Sequence, residues 1–286
     1  MNAPFQQLRV VTTAGWLARD LATGTDLPVV HDLGLDVTAD TTGVAWWSPH
    51  QFIARLKATP AVTDQPSLFS PGPGWVTTVP SDFLHRQVWA GQLRDVAACP
   101  LWAPSALLFG KPAEVKVNKL PADVYGTPAA LVQGAKGSGL TDDSWMILSE
   151  LVEFTAEYRC FIAPGPDGSP TVVAASVYLV GDTTWDAWET AAQAPDPSEA
   201  AGFAQMVADS TTGPAGYVVD VGRLTDGTWA VVEANASWSS NPYHCDPAGV
   251  VASILAAQDP GNDPVWAWRS DPYMDRFARP LPVRGN

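Results

Sequence analysis

The sequence has few charged residues, and most of those it has are acidic. Charged residues make up 16% of the 286 residues, and 16 lysines and arginines stand against 30 aspartates and glutamates, for a formal net charge of −14. Soluble domains usually have about 25% charged residues. Binding to nucleic acids or to anionic membrane surfaces requires clustered lysines and arginines. We therefore predict that neither nucleic acid nor a membrane is a partner.

Long apolar runs and paired cysteines are also missing. No stretch reaches the roughly 18 apolar residues of a spanning helix, and Met1–Arg9 lacks the pattern of a signal peptide. Cys99, Cys160 and Cys245 are odd in number and show no CxxC spacing. These features predict free thiols and a cytoplasmic location. The Ala-, Asp- and Pro-rich, Lys-poor composition is typical of a high-GC bacterium.

The N-terminal part, up to about residue 105, mixes short apolar runs with turn residues. It predicts strands at Arg9–Thr13 and Leu27–His31, and a helix with Ser48 as its N-cap and Pro49 at its first position. The chain is long enough for one large domain or two smaller ones.

Strands outnumber helices after residue 105, and turns join neighbouring strands. The pattern predicts strands over Trp145–Ile162, with a polar bend after Glu150, and over Thr171–Val180. Gly134–Gly139 lacks the spacing of a phosphate-binding loop, so we expect a flexible loop there. The fold class predicted for this region is α+β with an antiparallel sheet.

The most informative segment is a hairpin near the C-terminus. Asp-Gly at 226–227 between apolar runs predicts a two-residue turn, and counting outwards places Asp220 opposite Glu233, with Asn235 on the face of Glu233. Two facing carboxylates repel each other, so we expect a positive charge between them. Two carboxylates and a carboxamide suit Mg²⁺ shared with substrate phosphates. The alternative is a surface hairpin whose acids point into water.

Two further groups carry candidate chemistry. Lys111 and Lys116 flank the exit of a strand, where a lysine can meet a phosphate; the alternative is two solvated lysines. Glu157, Arg159 and Phe161 alternate onto one strand face, so an acid and a guanidinium project together. The alternative there is an exposed ion pair that contributes little.

Together these segments resemble the ATP-grasp superfamily. Phe109–Ala113 resembles its strand with a phosphate-contacting lysine, and Leu148–Val152 resembles its adenine linker. Glu157 has the spacing of the ribose-binding acid. Asp220, Glu233 and Asn235 match the D…ExN pattern of its Mg²⁺ ligands. The chain is more similar still to a bacterial ATP-grasp clade with a paired-arginine-and-lysine signature, at these segments: Phe83–Arg86, Lys111–Lys116, Glu157–Arg159, Glu233–Trp238 and Tyr243–Pro247.

The resemblance implies a fold and its cofactors. It implies two α+β lobes that clasp ATP over residues 106–257, divided near 150, after a small α/β pre-ATP-grasp domain over 1–105 and before a packed tail over 258–286. It implies ATP and Mg²⁺ as cofactors. The residues it assigns to ATP are Lys111, Lys116, Glu150, Leu151, Val152 and Glu157.

The resemblance also implies an activity. The first hypothesis is a carboxylate–amine ligase that forms an amide or peptide bond through an acyl phosphate, with small-molecule or peptide substrates. The alternatives are a small-molecule kinase and a non-catalytic nucleotide-binding module. Family members related to D-alanine–D-alanine ligase carry an arginine where Val218 stands, and Arg159 and Arg86 are the candidate catalytic replacements. The oligomeric state stays open.

Overall fold

The computed structural model describes residues 5–117, 120 and 122–284, and these form two compact units. Unit 1 takes in the described parts of Met1–Pro71, Phe154–Trp268 and Ala278–Asn286. Unit 2 takes in the described parts of Gly72–Glu153 and Arg269–Phe277. The predicted domain boundaries near 105 and 257 concern sequence segments rather than compact units, and they stay a prediction.

The strands are β1 Gln7–Val11, β2 Val29–Asp32, β3 Val37–Thr38, β4 Val44–Trp47, β5 Val88–Gln92, β6 Leu108–Pro112, β7 Asp123–Tyr125, β8 Trp145–Ser149, β9 Phe154–Pro164, β10 Pro170–Val180, β11 Thr183–Thr184, β12 Tyr217–Leu224, β13 Trp229–Asn235 and β14 Val283–Arg284. The α-helices are α1 Gly15–Ala22, α2 His50–Lys57, α3 Ser81–Leu84, α4 Pro128–Gly137, α5 Ser198–Ser210, α6 Pro247–Ala256 and α7 Pro272–Asp275.

Unit 1 contains a three-stranded parallel sheet in the order β2-β1-β4. Residues 8–11 of its central strand are all buried, as expected where a parallel sheet is covered on both faces. The predicted strands lie within two residues of those observed. The predicted N-cap is wrong: helix α2 is capped by Pro49. Ser48 is instead buried, and its backbone N–H donates to the carbonyl of Trp238.

Unit 1 also contains the sheet that bears most of the candidate site. Its five strands run β11-β10-β9-β12-β13, and all neighbours are antiparallel. Helix α5 covers one face. There the ring centroids of Phe203 and Trp229 are 6.3 Å apart, and those of Trp229 and Tyr158 are 5.4 Å apart. Because side chains alternate along a strand, Glu157 and Arg159 point to the other face.

Unit 2 contains a four-stranded antiparallel sheet in the order β5-β8-β6-β7. The α+β prediction with antiparallel sheets after residue 105 is therefore confirmed. The flexible loop predicted at Gly134–Gly139 is wrong in its first half, because α4 continues to Gly137. Thr127 caps that helix and Pro128 begins it, and these start signals outweigh the low helix propensity of glycine.

None of the described helices is long and apolar enough to cross a membrane.

One glycine shows how closely α6 lies against strand β12. A Cβ atom on Gly216 would sit 2.0 Å from the Ser253 carbonyl oxygen and 2.5 Å from the Ala257 nitrogen. Both are backbone atoms of the α6 region, so neither can rotate away. By contrast, a Cβ on Gly202 inside α5 would meet no described heavy atom within 4 Å apart from its own helix backbone and chain neighbours.

We expect Gly216→Ala to destabilise the protein by about 1–3 kcal/mol, because the backbone must move apart. The matched variant Gly202→Ala should stabilise it by about 0.5–1 kcal/mol, because alanine favours the helix. Urea unfolding of both variants measures the difference. Equal stabilities for the two would contradict the close contact.

Candidate active site

The β12–β13 hairpin places Asp220 opposite Glu233, as predicted, but its turn and its strand register differ from those predicted. The turn has three residues, Thr225–Gly227: Leu224 pairs with Thr228, and Gly227 has φ +86°. A glycine in that conformation closes a three-residue hairpin loop. A bulge between Asp220 and Val221 then shifts the register by one residue, and Asp220 pairs with Glu233. The predicted two-residue turn is wrong, but the predicted pair is confirmed.

Asp220, Glu233 and Asn235 form one hydrogen-bonded cluster. The Asn235 amide nitrogen donates to Asp220 Oδ2 at 3.0 Å and to Glu233 Oε1 at 2.9 Å. Asp220 is fully buried, whereas the other two are partly exposed. The carboxamide thus bridges two carboxylates that would otherwise repel each other.

Arg159 neutralises the buried member of this cluster. It lies on β9 directly opposite Asp220 of β12 and makes a bidentate contact, Nε to Oδ1 at 2.9 Å and Nη2 to Oδ2 at 2.7 Å. Its Nη1 donates to the Asn241 carbonyl at 3.2 Å. Bidentate arginine–carboxylate pairs are among the strongest hydrogen-bonded contacts in proteins. Arg159 thus supplies a positive charge beside Asp220, whereas the group that bridges Asp220 and Glu233 is the neutral Asn235 carboxamide.

Two stacked tyrosines line the Arg159 guanidinium. Its central carbon lies 5.0 Å from the Tyr243 ring centroid and 5.6 Å from that of Tyr178. The two rings are 5.1 Å apart and nearly parallel. Burial lowers the pKa of Arg159, but the charge and hydrogen bonds of Asp220 together outweigh it, so the pKa lies above its usual value. Arg159 is therefore a permanent cation.

Glu157 stands next to this cluster on the same strand face, and its Oε2 accepts a hydrogen bond from the Tyr178 hydroxyl. Burial, with the nearby charges of Asp220 and Glu157, holds the pKa of Tyr178 well above its usual value. The hydroxyl consequently keeps its proton and is the donor. Sequence reasoning missed Tyr178, since only the irregular register of β10 on β9 brings it to Glu157.

The donor set of this face fits a hard divalent cation. Glu157, Asp220 and Glu233 carry three negative charges against one positive charge on Arg159, and oxygen ligands suit Mg²⁺. Among the described residues, no cluster of three or more His, Cys, Asp or Glu side chains is shaped to hold a metal by itself. Two carboxylates and an amide leave room for other oxygen ligands, which matches the preference of Mg²⁺ for sharing phosphate and water.

The three cysteines are free, as predicted, and all of them are buried. Burial raises the pKa of all three thiols. A thiol with a raised pKa is a poor nucleophile.

Unit 2 holds the remaining predicted residues. Lys111 lies on β6 opposite Ile147 and is partly buried, whereas Lys116 is exposed in the segment after the strand. Arg86 follows α3, and its Nη1 donates to the Leu84 carbonyl at 3.1 Å. The phosphate-binding roles of the lysines and the catalytic role of Arg86 stay predictions.

The predicted adenine linker joins β8 to β9. The Glu150 carboxylate accepts from the backbone N–H of Gln87 at 2.8 Å, while the Glu150 N–H donates back to the Gln87 carbonyl at 3.1 Å. This reciprocal pair fixes the start of the linker to the residue before β5. Leu151 is exposed and Val152 partly exposed. Two accessible apolar side chains therefore follow Glu150 in the linker.

Glu114, which lies between the two lysines in sequence, is an unusual group that sequence reasoning did not single out. Burial, and secondarily the charge of Asp271, raises its pKa from 4.5 to about 7. Asp271 itself is buried and accepts from the Ser144 hydroxyl at 2.9 Å and the Trp145 N–H at 3.2 Å. A local sequence pattern could not reveal Glu114, because Asp271 is remote in the chain.

The family profile for the ATP-grasp domain of the paired-arginine-and-lysine clade, family 2, matches residues 83–253, more than half of the chain. The match spans every residue that the sequence assigned to ATP or to Mg²⁺. It agrees with the resemblance seen in the motifs and confirms the predicted fold class. No curated protein sequence gives a significant match.

Several solved structures are similar to this chain at low identity and with TM-scores below 0.5. The D-cycloserine synthetase DcsG aligns over 87% of this chain and 98% of its own, at 17% identity and TM-score 0.49. A RimK domain ATP-grasp protein from Sphaerobacter thermophilus aligns over 89% of this chain and 100% of its own, at 12% identity and TM-score 0.49. The N5-carboxyaminoimidazole synthetase from Staphylococcus aureus, solved with ADP, aligns over 59% of this chain but only 46% of its own. Its identity is 9% and its TM-score is 0.36. At such low values these likenesses say nothing about activity.

We expect Arg159→Met to destabilise the protein by about 3–5 kcal/mol, because it leaves a buried carboxylate without its guanidinium. The double variant Arg159→Met with Asp220→Leu should recover much of that loss. Arg223→Met is the control: its ion pair with Glu199 is long, 3.6 Å, and largely exposed, so the change should stay below about 1 kcal/mol. Chemical unfolding measures all three, and a double variant no better than Arg159→Met would contradict the pairing.

We expect Glu114→Gln to remove a pH-dependent part of the stability. The pKa of Glu114 in the folded state, about 7, exceeds its ordinary 4.5, so its contribution is fully present below about pH 4.5 and is lost as the pH rises through 7. The loss is up to about 3 kcal/mol. The wild-type-minus-variant difference in unfolding free energy, measured from pH 4 to 8, should follow this course. Glu153→Gln, at an exposed position, is the control, and a flat difference for Glu114→Gln would refute the assignment.

Proposed function

The chain belongs to family 2 of the paired-arginine-and-lysine clade of ATP-grasp domains, and on that premise we propose that it is an ATP- and Mg²⁺-dependent carboxylate–amine ligase. The product is an amide or peptide bond formed through an acyl phosphate. Its substrates are a small-molecule or peptide carboxylate and an amine.

The observation that carries the proposal is the carboxylate cluster on the face of the five-stranded sheet opposite α5. Asp220 and Glu233 pair directly across the strands, and Asn235 bridges them. Like-charged side chains placed opposite each other destabilise a sheet. A bound cation offsets that cost, and Arg159 alone balances only one of the charges.

In this proposal Asp220, Glu233 and Asn235 would hold Mg²⁺, and the ion would supply positive charge for the ATP phosphates. Glu157 binds the ribose. The unit 2 residues that the family resemblance assigns to the nucleotide are Lys111 and Lys116 for the phosphates, and the Glu150, Leu151 and Val152 backbone for adenine.

The chemistry has two steps. A substrate carboxylate oxygen attacks the γ-phosphorus, the bond to the β-phosphate oxygen breaks, and ADP leaves with that electron pair. The amine nitrogen then attacks the acyl carbon, phosphate leaves, and the nitrogen loses a proton to give the amide. Arg159 and Arg86 are the candidate stabilisers of the oxyanion formed in the second step. Three of the N–H groups of Arg159 already donate to Asp220 and Asn241, so few of its donors remain for a substrate.

The test traps the acyl phosphate. The protein is incubated with ATP, Mg²⁺, hydroxylamine and a panel of carboxylates, and hydroxamate is measured together with ADP. We expect hydroxamate from a subset of carboxylates, and a loss of about 10²–10³-fold in Glu233→Gln, comparable to removing one electrostatic stabiliser of a transition state. Glu199→Gln on α5, on the opposite sheet face, should retain activity. ADP together with a stable phosphoester would show a kinase instead, and no ADP formation with any carboxylate would overturn the proposal.

A further inference from the structure

Tyr178 connects two parts of the site that the family resemblance treats separately. Its hydroxyl donates to Glu157, and its ring lies 5.6 Å from the Arg159 guanidinium, which holds Asp220. One side chain therefore touches both the predicted ribose acid and the cation that orders the predicted metal ligands. No sequence motif marks this residue.

The position of Tyr178 is itself fixed. Its ring stacks on Tyr243 at 5.1 Å with an interplanar angle of 17°. Tyr243 has φ +53°, a left-handed conformation that is strained for a tyrosine. The adjacent His244 backbone N–H donates to the Ser176 hydroxyl at 3.3 Å, which ties this segment to β10. The surroundings hold the strained residue in place, as is common at functional sites.

The contact has a directional consequence for Glu157. A carboxylate has two oxygens, and the Tyr178 hydroxyl engages Oε2. A directional hydrogen bond to one carboxylate oxygen fixes the side-chain rotamer, so the second oxygen also has a fixed direction. That arrangement suits recognition of a vicinal diol, whose two hydroxyls donate to one carboxylate.

We propose that Tyr178 is a positioning residue for nucleotide recognition: its hydroxyl orients Glu157 toward the ribose hydroxyls, and its ring independently supports Arg159 and the metal face. The inference rests on the proposed function, which supplies the nucleotide. It predicts that one variant can remove the role of the Tyr178 hydroxyl while the role of its ring is kept.

The experiment is isothermal titration with ADP and with 2′,3′-dideoxy-ADP, each in the presence of Mg²⁺. Wild type should prefer ADP by about tenfold or more, since a hydrogen bond to a charged group has that effect. Tyr178→Phe should lower this preference about fivefold, mainly by weakening ADP. Its dependence on Mg²⁺ concentration should not change. Tyr178→Leu, which also loses the ring, should weaken both nucleotides and require more Mg²⁺.

Two further variants make the result decisive. Tyr243→Phe is the matched control: it removes a tyrosine hydroxyl for which the described residues show no hydrogen-bond partner, while keeping the stack, so the ribose preference should stay at the wild-type value. Glu157→Gln should lose the preference. Circular dichroism and thermal unfolding verify that each variant is folded.

The outcomes separate the two proposals. Loss of preference in Glu157→Gln with an unchanged preference in Tyr178→Phe overturns the positioning role and leaves the ligase proposal standing. Equal loss of ADP and dideoxy-ADP binding in Tyr178→Phe also overturns it, because it indicates only a structural role. No binding of either nucleotide by folded wild type overturns both.

Discussion

The buried ion pair between Arg159 and Asp220 is the interaction on which the candidate site depends. A fully buried carboxylate is costly unless it is paired and hydrogen-bonded, and Asp220 receives two donors from Arg159 and one from Asn235. Together these contacts fix the Asp220 side chain in the sheet, directly opposite Glu233.

Neighbouring features follow from that constraint. The bulge before Val221 brings Asp220 into line with Glu233, and the paired tyrosines give the guanidinium an aromatic surface on its remaining side. Arg159 balances one carboxylate while Glu233 and Glu157 add two more, so acidic groups outnumber basic ones on this face, as the proposed cation site requires. The Arg159–Asp220 pair thus supports the fold. It leaves the other carboxylates of this face without a balancing positive charge, which the proposed Mg²⁺ would supply.

Much of this was within reach of the sequence, for identifiable reasons. The Asp-Gly turn and the alternating apolar residues were enough to place Asp220 against Glu233, although the loop length and the bulge were both missed and their errors cancelled. Ser48 misled because its backbone is held by a tertiary hydrogen bond to Trp238. Gly134 misled because the helix-start signals at Thr127 and Pro128 outweighed the low helix propensity of glycine. Tyr178 and Glu114 could not be foreseen, since the partner of each is set by strand register or by a remote segment.

The measurement that tests the central claim most directly is the position of the metal. Crystals of the wild-type protein grown with ADP and Mn²⁺ in place of Mg²⁺ give an anomalous peak that marks the ion without ambiguity. The account predicts a peak within coordination distance of both Asp220 and Glu233, with Arg159 still paired to Asp220. A nucleotide-bound crystal whose Mn²⁺ peak lies away from both carboxylates would contradict it.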